Sequence, residues 1–117
     1  MDNVSLTALA REHLETARAS SSGRSAETVY GGQQHTLRQT LIALAAGQRL
    51  DEHENPGEAT VHVLHGRVRL VAGDSTWRGA AGHLMVVPDR RHTLEAEEDS
   101  AVLLTTAMPR PGASSTA

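Results

Sequence analysis

The sequence contains no cysteine, no phenylalanine and no lysine, and its aromatic side chains are limited to Trp77 and Tyr30. Without cysteine the chain cannot form disulfides or thiolate zinc sites, and a cysteine nucleophile is excluded. With so few aromatic rings it lacks a stacking surface for a sugar or for a single-stranded nucleic acid. These absences favour ligands that are bound by aliphatic and polar side chains.

Charge and hydropathy exclude two further classes of protein. Eleven arginines face 14 acidic residues, for a net charge of −3, whereas a nucleic-acid binder needs a clustered basic surface. No apolar run approaches the roughly 20 residues of a membrane span, and the first residues lack the basic and then apolar layout of a secretion signal. We therefore expect a single-domain cytoplasmic protein that binds neither nucleic acid nor a membrane.

Residues 1–22 are expected to form an amphipathic helical segment, with the helix running from Ser5 to about Ala19. Ser5 is suited to cap it, because its hydroxyl can accept a hydrogen bond from a free amide one turn along. The serine run before Gly23 ends the helix and begins a predicted linker that reaches Gly32. The apolar stripe is expected to pack on the body of the domain or on a partner subunit; it consists of Leu6, Leu9, Ala10, Leu14 and Ala17.

Residues 33–107 have β character. Seven or eight short apolar stretches, separated by glycine, proline and aspartate turns, predict an all-β sandwich or barrel. The turn at His65-Gly66 is a tight connection where glycine allows a positive φ. Residues 108–117 have the composition of a disordered tail. The strands are predicted at residues 36–45, 59–64, 67–71, 75–78, 84–87, 92–97 and 101–106.

Histidine is the strongest chemical signal in the sequence, because imidazole is the commonest metal ligand and a proton-transfer group near neutral pH. Position favours structural roles for His13 on the helix, for His62 between two core valines and for His65 beside a turn. His53 and His92 remain as candidates for a functional site. The seven histidines are His13, His35, His53, His62, His65, His83 and His92.

Two patterns of glycine and histidine lie between residues 47 and 92. Gly47 is followed after five residues by His53, and Gly66 closes this first pattern. The second pattern consists of Gly82, Pro88 and His92. In this order they resemble the two motifs of the small single-domain cupins of RmlC-like type, over about residues 36–106. The resemblance implies a double-stranded β-helix, the cupin jelly-roll barrel, with a pocket inside it and, here, a short N-terminal α-helix.

The resemblance also implies a metal site, but this chain departs from the family's ligand set of three histidines and a glutamate. Asn55 stands at the position of the second histidine and Ala59 at that of the glutamate. His53, His92 and Asn55 are therefore the candidate ligands of a divalent iron, zinc, manganese, nickel or copper ion. A missing ligand could come, in an irregular barrel, from Glu58, His35 or His62.

Two functions from different classes follow, and they leave enzyme status open. In the first, the barrel binds a small polar or anionic molecule for sensing, storage or regulation, with Arg38, Asn55, His53 and His92 as ligand-binding residues. Arg38 serves only if it points inward. In the second, the protein is a metal-dependent oxygenase, isomerase or lyase with His53 and His92 as catalytic residues.

The family resemblance further implies a homodimer, because small cupins often pair through the outer face of one sheet. The apolar stripe of the helix, with Leu9 and Leu14, is a candidate part of that contact. A lone barrel of this size would otherwise leave strand edges exposed.

Overall fold

Two antiparallel sheets and one helix make up the computed structural model, which describes residues 3–32, 34–52 and 57–108. The helix precedes nine strands in the described residues, so the expected jelly roll with an N-terminal helix is confirmed. The elements are α1 (Leu6–Ala19), β1 (Arg24–Gly31), β2 (Leu37–Leu44), β3 (Arg49–Glu52), β4 (Glu58–His65), β5 (Arg67–Ala72), β6 (Ser75–Ala80), β7 (Leu84–Val86), β8 (His92–Ala96) and β9 (Ser100–Ala107).

The strand orders are β1-β2-β9-β4-β7 in the five-stranded sheet and β3-β8-β5-β6 in the four-stranded sheet. The sheet edges meet on both sides. On one side the Arg24 guanidinium of β1 donates to the Arg49 carbonyl of β3 at 2.9 Å. On the other side Gly79 of β6 lies against Met85 of β7. Because the edges coincide, β8 lies across the barrel from β2 and β9.

The barrel interior is aliphatic. Every second residue of β5 is buried, at Val68, Leu70 and Ala72, as expected for a strand with one face in the core. No aromatic ring contributes to this core, so methyl and methylene groups fill the space between the sheets. Its members are Ile42, Leu44, Ala59, Val61, Val63, Val68, Leu70, Met85, Val87, Leu94, Ala96 and Val102.

The helix packs on the outer face of the five-stranded sheet. The Ser5 hydroxyl accepts a hydrogen bond from the Ala8 N–H at 3.1 Å, which confirms the predicted N-cap. Ala10, Leu14 and Ala17 are buried against β2 and β9. The stripe therefore packs on the chain's own sheet. Leu14 is only 5% exposed, so its expected contribution to a dimer contact is wrong.

The segment expected to be a linker contains a strand. Residues 24–31 form β1, which pairs with β2, so the sheet begins before the boundary expected at residue 33. The short strand β3 is also absent from the strands that the sequence predicts. Both are largely exposed, and their polar residues give no clear apolar alternation. The other seven strands lie where the sequence predicts them. Apart from Met108, the expected tail lies outside the described residues.

The described residues include no helix that is both long and apolar enough to cross a membrane.

Candidate functional site

One end of the barrel is closed and the other is open. On the inner face of β2, Leu44 is fully buried, Thr40 is half-buried and Arg38 is exposed. The inner face of β9 changes in the same direction, from buried Ser100 to half-buried Thr106. We call the open end the mouth, and define it by Arg38, Thr106, Ala59 and His92.

Strand register places Arg38 on the inner face of the barrel. Arg38 pairs with Thr106 of β9, and Thr106 pairs with Ala59 of β4. Directly opposed residues share a face, and Ala59 belongs to the barrel core. The condition that Arg38 points inward is therefore met. Within the described part of the chain, no carboxylate forms an ion pair with Arg38.

His92 begins β8 at the same end of the barrel. Its neighbours on the inner face, Leu94 and Ala96, are core residues, and alternation points the imidazole in the same direction. The connections that precede β4 and β8 are held together, because the Val87 N–H donates to the Ala59 carbonyl at 3.0 Å. His92 is 7% exposed, which makes it a buried titratable group at the mouth.

A single hydrogen bond determines the tautomer of His92. Its Nδ1 lies 2.9 Å from the Arg90 carbonyl oxygen. A carbonyl can only accept, so Nδ1 carries the hydrogen and Nε2 of the neutral ring keeps its lone pair. Nε2 has no partner among the described residues, where no buried side-chain nitrogen or oxygen is left unsatisfied. Nε2 is therefore the ring nitrogen that is left to bind a ligand at the mouth.

Arg38 and His92 lie on opposite walls of the mouth. β8 faces β2 and β9, and facing sheets are about 10 Å apart, a gap that a guanidinium and a small molecule can span together. Leu50 and Leu104, both partly buried against the core, line the wall below. This arrangement offers one permanent cation, one hydrogen-bond acceptor and aliphatic walls.

The remaining residues of the sequence-predicted site are His53 and Asn55, which lie outside the described residues. Their roles as metal ligands or ligand-binding residues stay predictions. In the sequence they follow β3, whose last residue, Glu52, pairs with His92 in register. Ala59, at the position of the family's glutamate, faces the core and is 7% exposed. A methyl group thus occupies the inner-face position that a carboxylate holds in the family's ligand set.

Two of the three alternative ligands do not face the interior. Glu58 and His62 alternate with the core residues of β4, so both point to the outer face of the sheet. His35 is exposed, with its ring edge-on to Tyr30 at a centroid distance of 5.3 Å. Across residues 3–32, 34–52 and 57–108, no three histidine, aspartate or glutamate side chains converge on a point that could hold a metal.

Two threonines of the mouth are not recognisable as site residues from the sequence alone. Thr40 and Thr106 lie on the inner face of neighbouring strands, where their hydroxyls add donors and acceptors beside Arg38. Their closeness to Arg38 depends on the pairing of β2 with β9, two segments that lie far apart in the chain.

Comparison with known proteins identifies the fold. No protein-family model and no curated protein matches the sequence. A conserved Streptococcus pyogenes protein of unknown function is 29% identical over 78% of this chain and 79% of that chain, with a TM-score of 0.69. An RmlC-like cupin from Desulfovibrio desulfuricans is 28% identical over 72% and 81% of the two chains, with a TM-score of 0.62.

A third solved structure is the Cupin_2 domain of an XRE family transcriptional regulator from Enterobacter cloacae. It is 12% identical over 74% of this chain and 98% of that domain, with a TM-score of 0.66, a level of identity at which the fold alone is shared. The sheet order and these likenesses together define the fold. The chain has the cupin jelly-roll fold, and it is similar to a small RmlC-like cupin.

Proposed function

We propose that this cupin is a cytoplasmic binding protein that holds a small anionic molecule at the mouth of its barrel. The observation that carries the proposal is Arg38, an arginine on the inner face of β2 at the mouth, which has no carboxylate partner in the described residues. A guanidinium pairs with a carboxylate through two parallel hydrogen bonds, which supply both affinity and orientation. A ligand carboxylate at Arg38 would supply that missing partner.

His92 narrows the class of ligand. Its Nε2 is an acceptor in the neutral ring, so the ligand group beside it must bring a hydrogen. An aliphatic group there would leave a buried acceptor without a partner, at a cost of about 1–3 kcal/mol. A hydroxyl satisfies Nε2, and we therefore propose a small hydroxycarboxylate with its carboxylate at Arg38 and its hydroxyl at His92.

We further propose that binding serves regulation. The aliphatic barrel carries no recognisable catalytic set among its described inner-face residues, and the same fold forms the Cupin_2 domain of the Enterobacter cloacae regulator. The fraction of barrels with ligand bound would rise with the ligand concentration, and this fraction would be the regulatory signal.

A ligand panel tests the proposal. Thermal unfolding is followed with short hydroxycarboxylates, with their deoxy analogues and with the matching uncharged amides. We expect hydroxycarboxylates to raise the melting temperature of the wild type, deoxy analogues to raise it less and amides to leave it unchanged. Arg38→Gln should abolish the effect. The matched control Arg11→Gln removes an exposed helix arginine that has no ion pair in the described residues, and should preserve it.

The outcomes separate the parts of the proposal. If no carboxylate stabilises the protein, or if Arg38→Gln and Arg11→Gln respond alike, the mouth is not an anion site. If the deoxy analogues bind as tightly as the hydroxycarboxylates, Arg38 binds an anion but the assignment of the hydroxyl to His92 is wrong.

A metal-dependent enzyme is the second candidate, and the tautomer of His92 favours it. Metal-binding histidines commonly donate one ring N–H to a backbone carbonyl, which leaves the other nitrogen to coordinate. His92 would hold the ion together with His53 and Asn55, and the ion would supply Lewis-acid or redox chemistry for an oxygenase, isomerase or lyase.

Metal analysis tests this second candidate. Protein purified without a histidine tag from metal-replete cells is analysed for iron, zinc, manganese, nickel and copper. Near-stoichiometric metal in the wild type, lost in His53→Ala and in His92→Ala but retained in His62→Ala, would support the enzyme. Equal trace metal in all four proteins would contradict it.

A further inference from the structure

A serine, a histidine and a glutamate contact one another on the outer face of the five-stranded sheet, away from the mouth. His13 of α1 lies over the first half of β1. Its Nδ1 is 2.6 Å from the Ser25 hydroxyl, and its Nε2 is 2.8 Å from a Glu27 carboxylate oxygen. The proposed function uses none of these three side chains.

The chemistry of the partners determines where the hydrogens lie. An ionised carboxylate can only accept, so Nε2 of His13 carries the ring hydrogen and donates it to Glu27. Nδ1 of the neutral ring then has a free lone pair and accepts the hydroxyl hydrogen of Ser25. A serine that donates to a histidine, with a carboxylate orienting the other ring nitrogen, is the arrangement that activates a serine nucleophile.

Rigid elements hold the three groups. Ser25 and Glu27 are two residues apart on β1 and share its outer face, and they pair with Ala43 and Leu41 of β2. His13 lies on α1, and this helix is held in place by its buried residues, among them Leu14. Ser25 is half-buried and Glu27 is 49% exposed, so a small molecule can reach the hydroxyl from solvent.

The backbone of β1 provides donors beside the hydroxyl. β1 is an edge strand, with β2 as its one neighbour in the sheet. Alternate N–H groups of an antiparallel edge strand point away from the sheet, so the N–H of either Ser25 or Ala26 points away from β2. A donor in this position can bind the carbonyl oxygen of an ester as negative charge develops on it.

We propose that Ser25 is an activated nucleophile that takes the acyl group of small activated carboxylic esters. The Ser25 oxygen attacks the ester carbonyl while its proton moves to Nδ1 of His13. The bond between carbonyl carbon and leaving oxygen then breaks, and His13 returns the proton to the departing alcohol. Water attacks the acyl-serine in the same way and releases the carboxylic acid. Glu27 is a positioning residue, because it acts through His13.

Acylation by p-nitrophenyl acetate tests the proposal on the full chain. Release of p-nitrophenol is followed by absorbance, and peptide mapping by mass spectrometry locates the acetyl group. The absence of lysine removes the usual competing side-chain amines. We expect acetyl on Ser25 in the wild type, and loss of labelling at this position in Ser25→Ala. In His13→Gln labelling should be slower by about a hundredfold or more, since a hundredfold is the lower end of general-base effects.

Two further variants separate activation from folding. Ser22→Ala removes a hydroxyl whose partner is the Ser20 hydroxyl at 2.8 Å rather than a histidine, and should leave labelling unchanged. Glu27→Ala should slow labelling and Glu27→Asp should restore part of the rate, while circular dichroism reports an intact fold. The proposal is overturned if Ser25 is labelled no faster than Ser22, or if folded His13→Gln is labelled at the wild-type rate.

Discussion

Gly66 illustrates how one backbone position determines the geometry of a turn. It joins β4 to β5 with φ +84°, and a Cβ there would overlap the Asp99 carbonyl and the Ser100 hydroxyl. Ser100 is buried, and its hydroxyl accepts a hydrogen bond from the Arg67 N–H at 3.1 Å, so the neighbour cannot move without losing that bond. The glycine is required both for its φ and for its lack of a side chain.

We therefore expect Gly66→Ala to lower the free energy of unfolding by about 3 kcal/mol or more, since left-handed strain alone costs about 1–3 kcal/mol. Gly82→Ala is the matched control. Its φ is +92°, but a Cβ added there would meet no atom within 4 Å. The Gly82→Ala variant should therefore lose stability through backbone strain only. Urea unfolding measures both, and equal losses would show that the contacts around Gly66 are unimportant.

Single residues also show what the sequence could and could not predict. The positive φ of Gly66 and the outward position of His62 follow from local pattern, and both predictions are confirmed. The face of Arg38 does not follow from local pattern, because Arg38 lies at the exposed end of β2. The pairing of Arg38 with Thr106, a contact between distant segments, determines that Arg38 lies on the inner face.

The helix is fastened to the closed end of the barrel by Asp99, which precedes β9. One carboxylate oxygen accepts from the Arg18 guanidinium of α1 at 2.7 Å, and the other accepts from the Ala46 N–H, between β2 and β3, at 2.8 Å. The hydrogen bond from Arg18 and then that from Ala46 hold the pKa of Asp99 below its usual value. The ionised form of Asp99 therefore stabilises the folded chain.

A carboxyl with a lowered folded-state pKa contributes stability above its unfolded-state pKa of about 3.9 and loses that contribution as the pH falls through the folded-state pKa. We expect Asp99→Asn to be less stable than the wild type at neutral pH, and the difference to shrink as the pH falls below about 3.9 and to vanish once the pH is below the folded-state pKa. Chemical unfolding across pH measures it. Asp74→Asn, in an exposed turn, is the control. A difference that persists unchanged into acid would contradict the charge-based account.

The two strands that the sequence did not predict share a physical cause. β1 is an edge strand with most of its residues exposed, and β3 is a four-residue edge strand of the other sheet. Edge strands need few apolar residues, so their alternation is weak. Strands in the middle of a sheet, such as β5, bury every second side chain and are recognised from that pattern.

The molecule as a whole leaves one side of the barrel apolar and uncovered. Leu84 and Val86 on the outer face of β7 are 65% and 77% exposed, and Trp77 on β6 is 43% exposed. They border a groove of about 350 Å³ at the meeting of two sheet edges. We propose that a second copy covers this side in a homodimer. Two β7 strands paired antiparallel about Met85 would bring Leu84 of each copy opposite Val86 of its partner.

Val86→Arg tests this homodimer, because it places a charge within the proposed contact, opposite Leu84 of the second copy. We expect light scattering to give a dimer mass for the wild type and a monomer mass for the variant. Val4→Arg replaces another exposed valine, which is 53% exposed and precedes α1 rather than lying on β7, and should remain dimeric. A monomeric wild type, or a Val86→Arg protein of unchanged mass, would contradict the proposal.

The mouth of the barrel gives the molecule its proposed function, and His92 is the residue through which that function can be observed directly. Long-range proton–nitrogen NMR spectra of the histidine rings are recorded at neutral pH, with and without the carboxylate that stabilises the protein most. We expect Nδ1 of His92 to be protonated and Nε2 to be a free acceptor whose resonance shifts when the ligand binds, while the rings of His13 and His83 are unchanged. A hydrogen on Nε2 in the free protein, or a His92 spectrum that saturating ligand leaves unmoved, would contradict the account.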